Sequence, residues 1–150
     1  IVSAGEKSVS STAGHALMDD LAYAEVRYHE ARKNIHTLID AMRRDDAMEV
    51  FISVCESEAL QLHALMMAGA SPFILMEPGT IAIIREVWRF RKDTGIPVCF
   101  TLDAGPNVHL LYPAAHTAAV MDWVRSSLMC HCANGLYIED HVGQGPEKLD

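Results

Sequence analysis

The residues best suited to chemistry lie in one run, Asp103-Ala104-Gly105-Pro106-Asn107. It places a carboxylate directly after the apolar stretch Val98-Cys99-Phe100-Thr101-Leu102. Gly105 reaches backbone angles closed to other residues, and Pro106 stiffens the chain beside it. An aspartate held at a strand end by such a turn has a fixed position. Partial burial there raises a carboxyl pKa toward values useful for proton transfer. The same composition also makes an ordinary hairpin turn, in which Asp bonds its own loop backbone. On the residues alone both readings stand.

A second feature is Ser10-Ser11-Thr12-Ala13-Gly14, which supplies hydroxyls and small residues ahead of a helical pattern. Free N–H groups at a helix start, together with the dipole, favour an anion, so a phosphate can dock there without a lysine. Ordinary N-capping uses the same residue types. His63 closes the run Glu58-Ala59-Leu60-Gln61-Leu62-His63, which is not HExxH. A satisfied core or helix-surface histidine is the better reading of it than a catalytic one. His15, His29 and His36 form no convincing i, i+4 ligand pair. The cysteines, Cys55, Cys99, Cys130 and Cys132, read neither as a disulfide framework nor as a zinc site. Cys130-His131-Cys132 lacks the second pair that zinc sites use, so no metal site is expected and a reduced, cytosolic chain is. No phosphate-cradling GxxxxGK[ST] loop is present.

With 150 residues, half of them hydrophobic, the chain suits one domain with its own core. The net charge of −8 argues against a large nucleic-acid footprint, which needs a basic face. No uninterrupted apolar run approaches the roughly 20 residues of a membrane span, and no signal peptide is visible. Ile1-Val2-Ser3-Ala4 reads like part of a strand, which fits a chain that begins inside a longer protein.

The elements that must position these residues follow from periodicity and punctuation. Residues 1–4 are expected as a short strand. A long helix after Ser10-Ser11-Thr12 carries Leu17, Leu21, Ala24, Tyr28, Ala31, Ile35, Leu38 and Met42 as one apolar stripe, expected as core. Glu25, Arg27, Glu30, Arg32 and Lys33 take its other face. Asp45-Asp46 is expected to cap a second helix over about 47–68, which Gly69 stops. A third helix runs over about 80–92 and ends at Gly95. Strands are expected at 98–102 and 108–112, close enough in sequence to pair antiparallel. A fourth helix over about 114–129, a last strand at 135–139 and a Gly/Pro-rich tail from His141 complete the chain. The order predicts an α+β fold, an antiparallel sheet with helices on one face, of the ferredoxin-like split β-α-β kind.

Four segments, in order, resemble the diphosphomevalonate decarboxylase family of the GHMP kinase superfamily. Lys7-Ser8-Val9-Ser10-Ser11-Thr12-Ala13-Gly14 is similar to the segment before that family's long helix. Glu58 to Ala64 is similar to its helix ending in His-Ala, with Glu58 where Asp or Asn is common. Ser71-Pro72-Phe73 resembles its Pro-Pro-hydrophobic segment. Phe100 to Val108 is very close to its F-T-[hydrophobic]-D-A-G-P-N signature, the most specific of the four.

The resemblance implies the C-terminal domain of a two-domain enzyme whose N-terminal domain, absent from this chain, binds most of the ATP and Mg²⁺. It implies phosphorylation of the 3-hydroxyl of mevalonate 5-diphosphate, then loss of phosphate and CO₂ to give isopentenyl diphosphate and ADP. Asp103 then matches the family's catalytic aspartate, Ser11 and Thr12 the contacts to the substrate diphosphate, and Ala104 and Gly105 the loop wall beside the substrate. Relatives that only phosphorylate tend to lack the aspartate, so Asp103 favours decarboxylation. A cytoplasmic homodimer is expected, with the isolated fragment inactive. Two other readings are a GHMP small-molecule kinase that does not decarboxylate and a non-catalytic ferredoxin-like regulatory domain.

Overall fold

The computed structural model describes residues 1–5, 23–44, 46–69, 72–143 and 145. Ser11 and Thr12, and the first turns expected of the long helix, lie outside the described residues. Three long helices come first: α1 (Ala24–Met42), α2 (Met48–Ala68) and α3 (Pro78–Thr94). The strands β1 (Cys99–Leu102) and β2 (Val108–Leu111) follow. A helical run then passes from 3-10 winding (Ala114–His116) into α4 (Thr117–Trp123), a π-helical turn (Val124–Leu128) and 3-10 again (Met129–His131). One uniform helix over 114–129 was expected. The apolar spacing records a helical face but not these changes of pitch.

The two strands pair antiparallel, with Cys99 opposite Leu111 and Leu102 opposite Val108. The α+β class and the antiparallel hairpin are therefore as the sequence predicts. The outer strands expected at 1–4 and 135–139 do not form. Instead the start of the chain is held by single contacts. The Ile1 amino group donates to Leu136 O at 2.9 Å, and Ala133 N donates to Ile1 O at 2.9 Å. Val2 N and Ser3 N both donate to Asn107 Oδ1. A side chain thus takes the backbone donors that a ladder strand would satisfy, so β-favouring composition alone does not make a strand here.

The core gathers where α2, α3, β1 and the α4 run converge. Ala59, Ile83, Val87, Val98, Phe100, Val120 and Leu128 are buried together. Phe90 stacks on Trp123 with ring centroids 4.3 Å apart. Successive residues Cys99 and Phe100 are both buried, so β1 is covered on both sides. In β2, half-buried Val108 and Leu110 alternate with exposed His109 and Leu111, so one face of that strand stays open.

Two buried or half-buried ion pairs tie the helices. Glu56 on α2 accepts from Arg91 (2.6 and 3.0 Å) and from Trp88 Nε1 (2.9 Å), both on α3. Arg91 also donates to Val98 O at 2.7 Å, which joins the pair to the start of β1. Glu58 accepts from Arg27 and Asn34 on α1. Arg27 therefore faces α2, not the solvent as the helical spacing predicts.

Three further expectations need correction. The α1 stripe is only partly core: Ala24 is buried, but Ile35 is 50% and Met42 70% exposed. Among the described elements α1 packs chiefly on α2, which is too narrow to cover a full stripe. Asp46 does not cap α2; its carboxylate accepts from Arg44, and the N-cap is Ala47 with no side-chain bond. Finally, α2 is long and apolar enough, by length and composition, to cross a membrane. Glu49, Glu56 and Glu58 interrupt its apolar run, which hides that length when consecutive apolar residues are counted. The two ion pairs and the packing on β1 make it a core helix.

Gly95 ends α3 with a left-handed φ of 72°, its N–H donating to Arg91 O, as the Gly-x-Pro sequence predicts. The start of α3 has a capping box the sequence reading missed. Glu77 and Thr80 exchange side-chain and backbone bonds, with Glu77 in the place usually held by Ser or Thr.

Candidate active site

Residues 103–107 join the two strands, as the sequence predicts, and are held from three directions. Asp103 O accepts from Gly105 N at 2.8 Å, closing a tight turn. The same oxygen lies 3.1 Å from His63 Nε2 on α2. A carbonyl only accepts, so Nε2 carries the proton. Burial of the imidazole pushes its pKa below the ordinary 6.5, against the opposing pull of the Asp103 carbonyl. His63 is thus neutral, 1% exposed, and a satisfied core histidine. Pro106 O accepts from Thr80 Oγ1 on α3 at 2.6 Å. Asn107 takes the third side, accepting from Val2 N (2.8 Å) and Ser3 N (3.1 Å) and donating to Ser3 O (3.2 Å).

The Asp103 side chain itself is free. It is 81% exposed, and His109 on the open face of β2 approaches it, with Nε2 3.6 Å from Oδ2. The burial expected of a proton-transfer carboxylate is not supplied by the described residues. What they supply is a backbone held at several points under an exposed carboxylate. Ala104 is half-buried and keeps open surface. Gly105 is buried with its N–H already bonded, so Ala104 offers the more open surface of the two.

Sequence reasoning singled out Asp103 but missed what holds it. His63 was read as a helix-surface or satisfied core histidine and is the latter, but its partner lies 40 residues away and could not be read off the run around it. Thr80 gave no signal except its place three residues after Glu77, the capping-box spacing. Asn107 was read only as part of a turn.

Among the described residues no Lys or Arg bonds to residues 103–107, and no three His, Cys, Asp or Glu gather to hold a metal ion. These residues therefore do not by themselves fit a magnesium-bound nucleotide. Cys130 and Cys132 are free thiols bonded to the carbonyls of Ser127 and Leu128.

The model of the mevalonate 5-diphosphate decarboxylase C-terminal domain matches residues 1–148. The chain belongs to this family. A phosphomevalonate decarboxylase of Haloferax volcanii is 30% identical over 94 residues, 61% of this chain and 29% of that protein. A diphosphomevalonate decarboxylase of Schizosaccharomyces pombe is 25% identical over 126 residues, 81% of this chain and 32% of that protein. Among solved structures, a mevalonate diphosphate decarboxylase from Legionella pneumophila matches with a TM-score of 0.73 and 30% identity, covering 81% of this chain and 38% of that one. The chain spans about a third of the length of the curated relatives it matches.

Proposed function

We propose that this chain is the C-terminal domain of an ATP-dependent decarboxylase that converts mevalonate 5-diphosphate to isopentenyl diphosphate, ADP, phosphate and CO₂. The observation that carries the reading is the Asp103 loop: an open carboxylate on a backbone fixed from α2, α3 and the start of the chain. Such a group can accept or orient a hydroxyl proton without itself having to be positioned by the substrate. It can also face a positive centre that develops as a carboxylate leaves.

In this reading Asp103 acts on the 3-hydroxyl, Ala104 and Gly105 border the substrate, and Ser11 and Thr12 receive its diphosphate. ATP and Mg²⁺ are assigned to an N-terminal domain beyond this chain, which also completes the burial of Asp103. The proposal further includes a cytoplasmic homodimer, a fragment inactive alone, and a ferredoxin-like arrangement.

The likeness to the Haloferax phosphomevalonate decarboxylase favours a second substrate, the monophosphate. The test is to supply the full-length protein with ATP and either mevalonate 5-diphosphate or mevalonate 5-phosphate and to measure CO₂. Release of one CO₂ per ATP from the diphosphate supports the first reading, and release from the monophosphate alone supports the second. Phosphate transfer without CO₂ sinks both in favour of a kinase.

A further inference from the structure

We propose that His63 and Thr80 are positioning residues of the Asp103 loop, a two-point clamp that sets where the carboxylate stands during turnover. The inference rests on the reading that Asp103 carries the chemistry.

Glu56, His63 and Thr80 are the buried polar or charged side chains among the described residues. Glu56 is neutralised by Arg91, and that pair ties the helices together. The other two are uncharged, lie on different helices, and are 1% and 0% exposed. Each spends its donor on a backbone carbonyl of the same five-residue loop. Burying a polar group costs free energy unless it is bonded, and an apolar side chain would fill either place in the core without that cost. Packing alone therefore gives no reason for an imidazole at position 63, and the capping box accounts for only the bond that the Thr80 hydroxyl accepts, not for the one it donates to the loop.

The geometry supplies the reason. His63 holds Asp103 O, the carbonyl of the residue whose carboxylate is exposed. Thr80 holds Pro106 O, at the other end of the Ala-Gly segment. The Thr80 hydroxyl also accepts from Glu77 N at 3.1 Å, which directs its proton toward the loop. Among the described residues the Asp103 carboxylate has no hydrogen bond and only His109 within ion-pair distance, so its position is set chiefly through the backbone. Displacement of a reacting group by about 1 Å can cost on the order of 100-fold in rate. The clamp acts at that scale, and it acts on rate more than on substrate affinity.

The test compares four variants of the full-length protein in steady-state CO₂ release, with Asp103→Asn in parallel. Thr80→Val and His63→Leu remove the donors while keeping bulk. Thr80→Ser keeps the hydroxyl, and His63→Gln keeps an N–H near the Nε2 position. The expected result is a fall in kcat of roughly 10- to 100-fold for the Val and Leu variants, with KM little changed. The Ser and Gln variants should recover most of that loss. Because kcat is referred to folded enzyme, a purely structural role would lower the yield and Tm of all four variants but leave kcat in place. If His63→Leu does not fold, the Thr80→Val and Thr80→Ser pair decides alone. Inactive Asp103→Asn beside Val and Leu variants of normal kcat overturns the clamp and spares the functional reading. So do Ser and Gln variants no better than Val and Leu. Unchanged turnover in Asp103→Asn overturns both.

Discussion

Around residues 103–107, Asp103 O, Pro106 O and Asn107 Oδ1 each accept a bond from a different part of the chain, and the helices behind them meet in a closed core. Along α1 the contacts are sparser. Among the described residues a single helix packs on it, Glu58 gathers Arg27 and Asn34, and Ile35, Ile39 and Met42 stay open. A groove of about 190 Å³ lined by Ala31, Asn34, Ile35, Leu38, Val54 and Glu58 lies between α1 and α2. Both regions are amphipathic in sequence, and both rest on α2. They differ in how many elements converge. Among the described residues the loop is pinned by three segments, whereas α1 leans on one. Precision is concentrated under the one exposed carboxylate that has a role in the proposed chemistry.

The contrast can be tested from its strongest side down. Phe100→Ala removes the fully buried ring at the centre of the loop-side core and should cost about 3–5 kcal/mol, read by denaturant titration of the full-length protein. A loss below about 1 kcal/mol would mean that the core is not where stability lies. Next come the two glutamates. Glu56→Ala leaves Arg91 beside β1 without its carboxylate and should cost about 3 kcal/mol. Glu58→Ala, on the α1 side, should cost only about 1–2 kcal/mol, because the Glu58 carboxylate is more exposed than that of Glu56, 30% against 11%. Equal costs would erase the distinction between the two regions.

A pH prediction follows from His63. Its folded pKa lies below its ordinary 6.5, so below that value the unfolded state binds more protons. The stability His63 contributes is present above pH 6.5 and is lost as pH falls through the lower folded value. His63→Gln should flatten this acid-side slope, measured as stability between pH 7 and pH 5. An unchanged slope would show that the histidine is not held neutral. The Glu58 contribution fades at more acid pH. Burial opposes its charged form, but the bonds from Arg27 and Asn34 outweigh that and hold its carboxyl below 4.5. The smallest effect is expected at Met42→Lys on the open end of α1, within about 0.5 kcal/mol of the parent. A larger loss would show that the stripe is covered in the whole protein.

Much of the loop region was legible in the sequence, and much of α1 was not. A β-favouring run ending in D-A-G-P-N specifies strand, turn and strand because the physics is local: a stiff Pro, a permissive Gly, and alternation on either side. Gly95 and Pro97 marked a helix end for the same reason. His63 and Thr80 meet the loop across 40 and 26 residues, and no local spacing encodes such a meeting. The α1 stripe misled in the opposite way. Its period correctly gives a helix, but period does not say how many neighbours will come to cover the face. Residues 1–4 and 135–139 have strand composition without strand partners, since pairing depends on what lies alongside. The role proposed for Asp103 rests on the family signature, not on its turn composition.

The central claim is that Asp103 does chemistry rather than shape a hairpin. Asp103→Asn keeps the size of the side chain and leaves untouched the backbone carbonyl that His63 and Gly105 hold. Steady-state CO₂ release from mevalonate 5-diphosphate and ATP, by full-length parent and variant, therefore separates the two. The account predicts a loss of several orders of magnitude in kcat with Tm unchanged. A variant that releases CO₂ at the parental rate would contradict it.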